Sequence, residues 1–356
     1  MLLFVVMLMV PVIMQHVRVN GLGYQKKNQY ALTFFFAMLT FLVMFRHESV
    51  GNDTRNYIYF FNRYTRLDWK SLSDISLEIG YLYYSKIVSL FSDDPRFFLA
   101  VAALTVSAMI YPTYKRLCLD TSLTISIFCI ISTFVMMFSG VRQMLAIGAG
   151  FLAYECTRRR KVIPFLLMAF LALSIHTSAF MLLFMYPLYH AKITKKWLYV
   201  VVPVLLVIWV FNRPIFSALS AVIEQFTKYE GGVSSTGAYT MLILIGLFTV
   251  FAFVIPDEAA LDEETIGMRN FLLMTLVIQM FAPLHMLAMR MNYYYIIFIP
   301  LLMPKIIACR SNRWKQIAWA GRHVMVAFFL VYFFISARSG GNLRVFPYHF
   351  FWETVG

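Results

Sequence analysis

"TFVMMFSGVRQMLAIGAGFLAYECTRRRK" (Thr133–Lys161) consists of two apolar runs separated by a Ser139-Gly140 break and one arginine, Arg142, and closed by four consecutive basic residues. The closing cluster, Arg158–Lys161, is what the cytoplasmic end of a membrane helix carries. Arg142 is different, because a guanidinium between oily runs is costly. The stretch reads as two membrane helices meeting in a tight outer turn, with Arg142 held at that turn.

The rest of the chain has the same character. Of its 356 residues 61% are hydrophobic and only 13% charged, and the mean hydropathy is +0.71. A soluble domain carries about 25% charged residues, so a soluble fold is excluded. Apolar runs recur from end to end with no long polar segment between them, and no sustained alternation suggests a β-barrel. The expectation is an all-α, polytopic transmembrane helical bundle forming a single integral membrane domain over 1–356. The net charge of +14 reads as a positive-inside signal plus attraction to anionic headgroups, with no nucleic acid as partner. Met1–Gln15 has no preceding basic residues and no small-residue cleavage site, so it reads as a retained helix.

Twelve spans (range 11–13) are expected near 1–16, 30–45, 97–112, 122–138, 143–156, 162–175, 178–190, 197–212, 238–255, 267–284, 291–307 and 317–336. With the N-terminus outside, the inner loops hold Arg18, Lys26 and Lys27; Lys115 and Arg116; Arg158 to Lys161; Lys192, Lys195 and Lys196; and Lys305, Arg310, Arg313 and Lys315. Five basic loops thus alternate strictly. The acidic stretch "PDEAALDEET" (Pro256–Thr265) falls inside too, but Asp and Glu weigh little in this rule. "IGYLYYSKIVSLF" (Ile79–Phe91) is too short and Tyr-rich for a span and reads as an interfacial or re-entrant helix. The outer segments are then 46–96, 213–237 and the tail 337–356. None of the four cysteines is placed for an outer disulfide.

Polar residues gather on the expected outer face: Arg142, His176 in "SIHTS" (Ser174–Ser178), and His285 and Arg290 in "PLHMLAMRMNYYY" (Pro283–Tyr295). Singly, each has a plain explanation, such as an arginine snorkelling to headgroups or a histidine bonding between helices. Together they suit an anionic group at the membrane surface: guanidinium forks hold phosphate oxygens, and a neutral imidazole can take a proton from an attacking hydroxyl. Aromatic residues in 46–96 offer faces on which sugar rings stack. No phosphate loop, metal-ligand cluster or G-x-S-x-G elbow occurs, so neither a metal nor another cofactor is expected.

Six segments resemble the EpsG family, which overlaps the Wzy-type O-antigen and exopolysaccharide polymerases. They are "GNDTRNYIYFF" (Gly51–Phe61), "SLEIGYLYYSKIV" (Ser76–Val88), "FSGVRQMLAIGAGFLAY" (Phe138–Tyr154), "LALSIHTSAFMLLFMYPL" (Leu171–Leu188), "MRMNYYYIIFIPLLMPKI" (Met289–Ile306) and "NLRVFPY" (Asn342–Tyr348). The pairing of S-G-x-R-Q with H-T-S-A is the most specific of these. The resemblance implies a GT-C-like lipid-linked glycosyltransferase architecture in the bacterial cytoplasmic membrane. It implies polymerisation of undecaprenyl-pyrophosphate-linked oligosaccharide repeat units at the outer face. The implied partners are that donor and its acceptor, membrane lipids and a chain-length regulator protein. Carried onto this chain, Arg142 and Arg290 would hold the pyrophosphate and His176 would be the base. Asp53, Arg55, Tyr57, Gln143, Tyr294 and Arg344 would form the sugar and acceptor site. The alternatives are an O-antigen ligase, which shares the chemistry, and a lipid-linked oligosaccharide flippase or transporter. Transport is disfavoured because mid-span positions are nearly free of charge.

Overall fold

The computed structural model describes residues 1–17, 20–222, 235–338 and 344–355. Among these the regular structure is helical, with two isolated bridges, Arg46–Phe350 and Pro256–Arg310, and no strand. The helices are α1 (Leu2–His16), α2 (Tyr24–Met44), α3 (Thr54–Tyr64), α4 (Ile79–Ser89), α5 (Pro95–Leu117), α6 (Thr121–Ile130), α7 (Ser132–Ser139), α8 (Val141–Arg158) and α9 (Val162–Ile175). After a 3-10 helix at Thr177–Phe184 come α10 (Met185–His190), α11 (Leu198–Val210), α12 (Asn212–Val222), α13 (Ser235–Val254), α14 (Glu263–Gln279), α15 (Met286–Ile296), α16 (Ile299–Ala308) and α17 (Lys315–Arg338).

The twelve segments expected to span are mainly helical, but 178–190 is largely a 3-10 helix, 280–284 lies beyond the end of α14, and 122–138 and 291–307 are each interrupted. Three helices, at Pro95–Leu117, Gly237–Val254 and Asn312–Arg338, are individually long and apolar enough to cross a membrane, and up to six are if each bent pair is one span. One bent pair is α6–α7, turned by 63° at Ile131, whose extended backbone (ψ 146°) interrupts the helix. Helix α4 has 11 residues, about 16 Å of rise against a hydrocarbon core of about 30 Å. Alone it is too short to cross. The second outer segment expected at 213–237 is partly helical, in α12 and the start of α13, and its residues 223–234 lie outside the described residues.

The chain divides into two compact units, Met1–Phe180 with His323–Gly356, and Met181–Arg322. In the first, α8 is the central helix, buried on nearly every side from Val141 to Thr157. A helix that is apolar all round belongs in a core, and small residues let its neighbours approach. A Cβ at Gly148 would stand 2.4 Å from Met109 Cε on α5. Ala146, Ala149 and Ala153 are likewise buried, which fits close helix packing through small residues.

At the Arg158 end of α8, polar side chains tie several turns together. Arg116 Nη2 reaches Glu155 at 2.7 Å and Arg158 reaches the same carboxylate at 3.0 Å. Buried Gln15 accepts from the Ser122 amide (2.8 Å), and buried Asn28 accepts from the Thr121 amide (2.6 Å). These turns carry three of the basic loops assigned above to one side.

The second unit shows the same grouping. Arg269, fully buried on α14, donates to both Glu258 oxygens at 3.0 Å and to the Ile193 carbonyl at 2.8 Å. Glu258 also accepts from the Lys195 amide at 2.9 Å. Lys305 meets Asp262 at 3.2 Å and Glu264 at 3.6 Å. The acidic stretch 256–265 is therefore the counterpart of buried Arg269 and Lys305, which explains acid in an otherwise basic set of loops.

Candidate functional site

The site is built where four segments of the first unit meet. Gly51 sits at φ +85°, and a Cβ there would lie 2.3 Å from the Phe138 carbonyl oxygen. Only glycine satisfies both the backbone and the contact. The Asn52 amide then donates to Ser139 Oγ at 2.9 Å, and Thr54 opens α3 against the end of α7. The C-terminal segment folds back over this loop. The Gly51 amide donates to the Arg344 carbonyl (2.9 Å), the His47 amide to the His349 carbonyl (2.8 Å), and Tyr348 Oη to the Leu42 carbonyl (2.8 Å).

Gly140 ends α7, and Arg142 lies in the first turn of α8. Its Nη1 donates to Glu78 Oε2 at 2.6 Å. The other oxygen of Glu78 accepts from His176 Nδ1 at 2.9 Å, from the Thr177 amide at 3.2 Å and from the Thr177 hydroxyl at 3.0 Å. One carboxylate therefore joins the start of α8, the end of α9 and the following 3-10 helix. Glu78 stands at the N-cap of α4 but makes no side-chain cap to that helix. The approach depends on Gly80, where a Cβ would come 2.3 Å from Ser174 Oγ and 2.7 Å from the Ser174 carbonyl oxygen.

Two tyrosines complete the surroundings. Tyr57, one turn into α3 and 4% exposed, lies close enough for the Arg142 charge to act on its hydroxyl. The Tyr81 ring lies 5.7 Å from the Arg142 guanidinium carbon and 6.1 Å from the Tyr57 ring. The cluster is not sealed: the side chains of Arg142, Glu78 and His176 keep 22%, 16% and 11% of their surface exposed.

Burial by itself would raise the Glu78 carboxyl. The His176 hydrogen bond and the Arg142 charge outweigh it and hold Glu78 well below the usual carboxylate range. Burial pushes the Tyr57 hydroxyl up, against the pull of Arg142, so Tyr57 is a neutral hydrogen-bonding group at physiological pH. Chemically the cluster offers a guanidinium, an imidazole oriented by a carboxylate, and a phenol. These suit anion binding and proton transfer.

Of the residues expected from the sequence, the structure brings together Arg142, His176 and Tyr57. Asp53 is beside them: its backbone carbonyl accepts the Tyr57 amide at 3.0 Å in the first turn of α3, and its charge acts on the Tyr57 hydroxyl. Arg55 points elsewhere, 68% exposed and 3.4 Å from Glu48. Gln143 is 3% exposed in the packed wall of α8. Arg344 contributes a backbone carbonyl, from a left-handed φ of 50°. Arg290 and Tyr294 are in the second unit: Tyr294 is 1% exposed, and Arg290 lies along α15, 3.9 Å from Met286 Sδ. His285 caps α15 by accepting the Leu287 amide at 3.0 Å.

Glu78 was missed. It stands inside "SLEIGYLYYSKIV" as the only acid of that segment, immediately before an apolar helix and two residues before Gly80. An acid so placed reads as an ordinary cap unless its partner, 98 residues away, is known.

No curated protein and no solved structure matches this chain. The EpsG family model matches residues 29–350, which takes in all of these site segments. The chain belongs to the EpsG family.

Proposed function

We propose that this protein polymerises lipid-linked saccharide units, using a donor carried on undecaprenyl pyrophosphate, at the outer face of the bacterial cytoplasmic membrane. The observation that carries the reading is the Glu78 carboxylate shared by Arg142 and His176. An imidazole whose Nδ1 is held by a carboxylate presents Nε2 as its basic nitrogen. In the proposed reaction a hydroxyl of the acceptor sugar attacks the anomeric carbon of the donor. The new glycosidic C–O bond forms as the bond from that carbon to the phosphate oxygen breaks. His176 takes the hydroxyl proton, and the electron pair leaves with the lipid pyrophosphate, whose charge Arg142 stabilises.

Glu78 then has two tasks, fixing the imidazole tautomer and holding the guanidinium so that its other donors face the substrate. Asp53 and Tyr57, at the start of α3, border the acceptor side. The twelve-span, GT-C-like arrangement with the N-terminus outside, and a chain-length regulator as partner, are parts of the same proposal.

The test is deletion of the gene followed by sizing of surface polysaccharide on a gel, with complementation by wild type and by Glu78→Gln. Single capped repeat units in the null, restored to long chains by wild type but not by Glu78→Gln, are the expected result. Complete loss of units from the lipid A core would mark a ligase instead, and units accumulating inside the cell would mark a flippase.

A further inference from the structure

Among the described residues three lysine or arginine side chains are buried: Arg46, Arg269 and Lys305. Arg269 has Glu258, and Lys305 has Asp262 and Glu264. Arg46 has no carboxylate. It follows the last turn of α2, is 2% exposed, and donates through Nη1 to the Val43 carbonyl and through Nε to Thr54 Oγ1 at 3.2 Å. Its Nη2 is buried with no protein partner. Burial lowers its pKa only to about 10, so at neutral pH it is a cation.

Capping the end of α2 explains Nη1, and anchoring α3 explains Nε. Neither explains keeping a full charge out of water without a counter-ion, which proteins rarely do away from a functional site. Arg46 also borders a small cavity whose other lining side chains are all apolar, among them Val43, Met137, Val141 and Met144, so the cavity places Arg46 next to the start of α8 and is not itself the anion pocket. Val141 immediately precedes Arg142, and Thr54 lies one turn before Tyr57, on whose hydroxyl the Arg142 charge acts. The uncompensated charge is thus beside the site and not in some remote part of the core.

We propose that Arg46 is a second anion-binding residue of this site, donating from Nη2 to an oxygen of the phosphate group that Arg142 also binds. That the phosphate belongs to a lipid-linked diphosphate rests on the function proposed above. The binding itself does not.

The experiment uses the full-length chain in lipid nanodiscs, titrated with inorganic pyrophosphate and separately with vesicles containing farnesyl diphosphate. Arg46→Met is compared with wild type, with Arg46→Lys, and with Arg66→Met, which removes an exposed cation from the same loop. Arg46→Met should weaken pyrophosphate binding about tenfold or more and keep or raise the melting temperature, because it removes a buried charge. Arg46→Lys should fall between, and Arg66→Met should bind as wild type does. Arg46-dependent binding that is tighter for farnesyl diphosphate marks a lipid source, and equal binding marks the free ion. Wild-type affinity in Arg46→Met, with or without a lower melting temperature, overturns the inference and leaves Arg46 as a helix cap satisfied by a buried water; absence of pyrophosphate binding by wild type overturns it equally. A deletion strain with normal polymer alongside Arg46-dependent binding would sink the polymerase reading while leaving the anion site intact.

Discussion

A cation in the first turn of a helix opposes the helix dipole, so Arg142 at the start of α8 gains nothing from its own helix. Glu78 offsets that cost through a 2.6 Å contact. A lysine could keep the ion pair with Glu78 but not the planar fork. We therefore expect Arg142→Lys to be as abundant as wild type yet to lose polymerisation about 10²–10³-fold, the ~3–4 kcal/mol typical of one transition-state contact, with Arg142→Ala losing more. Near-normal polymer from Arg142→Lys would leave Arg142 a structural partner of Glu78. The carboxylate gives a second test at this scale. A depressed carboxyl adds stability that is present above its unfolded pKa of about 4.3 and disappears as pH falls through the lower, folded value. The difference in melting temperature between wild type and Glu78→Gln should accordingly persist from pH 7 to 5 and shrink below pH 4. A difference that shrinks between pH 7 and 5 would place the Glu78 pKa above the normal range.

The short elements α3 and α4 were only half legible. Their aromatic content and length identify them as something other than spans, and the 11 residues of α4 agree. The partners were not legible, because the contacts of Glu78 join positions 64 and 98–99 residues apart, and no local pattern encodes such separations. Arg142 and His176 could be found as polar exceptions in oily surroundings. Glu78 and Arg46 could not, since a charged residue near a helix end is ordinary in a sequence and unusual only once its burial and partners are seen. Glycine provides the test at this scale. Gly80→Ala drives a methyl group into the Ser174 backbone, an overpacking cost of about 1–3 kcal/mol, and should move Glu78 away from His176. Gly246 in α13 has open space around it, so Gly246→Ala should be neutral or stabilising by up to about 1 kcal/mol. Loss of activity in Gly80→Ala with Gly246→Ala unaffected would support the α4–α9 approach as a requirement of the site. Equal behaviour of the two variants would remove it.

For the whole chain, the sequence spacing of basic residues makes a claim that extends beyond any one helix. The turns it assigns to one side are gathered within each unit. In the first, the Gln15, Asn28, Arg116 and Arg158 regions meet at one end of α8, about 27 Å of helix rise from Val141. In the second, Lys195, Glu258, Asp262 and Lys305 join three turns, and Pro256 pairs with Arg310. A single crossing added or removed between two of these turns would have put them at opposite ends of a unit. The turns gathered within each unit are the ones the positive-inside rule assigns to one side, and the crossing parity and the side of the membrane stay parts of the proposal that rests on that rule. A reporter active only outside the membrane should work when fused at Gly356 and fail when fused near Arg159 or Lys195. Activity near Arg159 together with failure at Gly356 would invert the orientation and bring the Glu78 cluster to the cytoplasmic face, where the proposed donor could not meet it. Activity at both Arg159 and Gly356 would instead break the parity, and with it the assignment of α4 as a helix that does not cross.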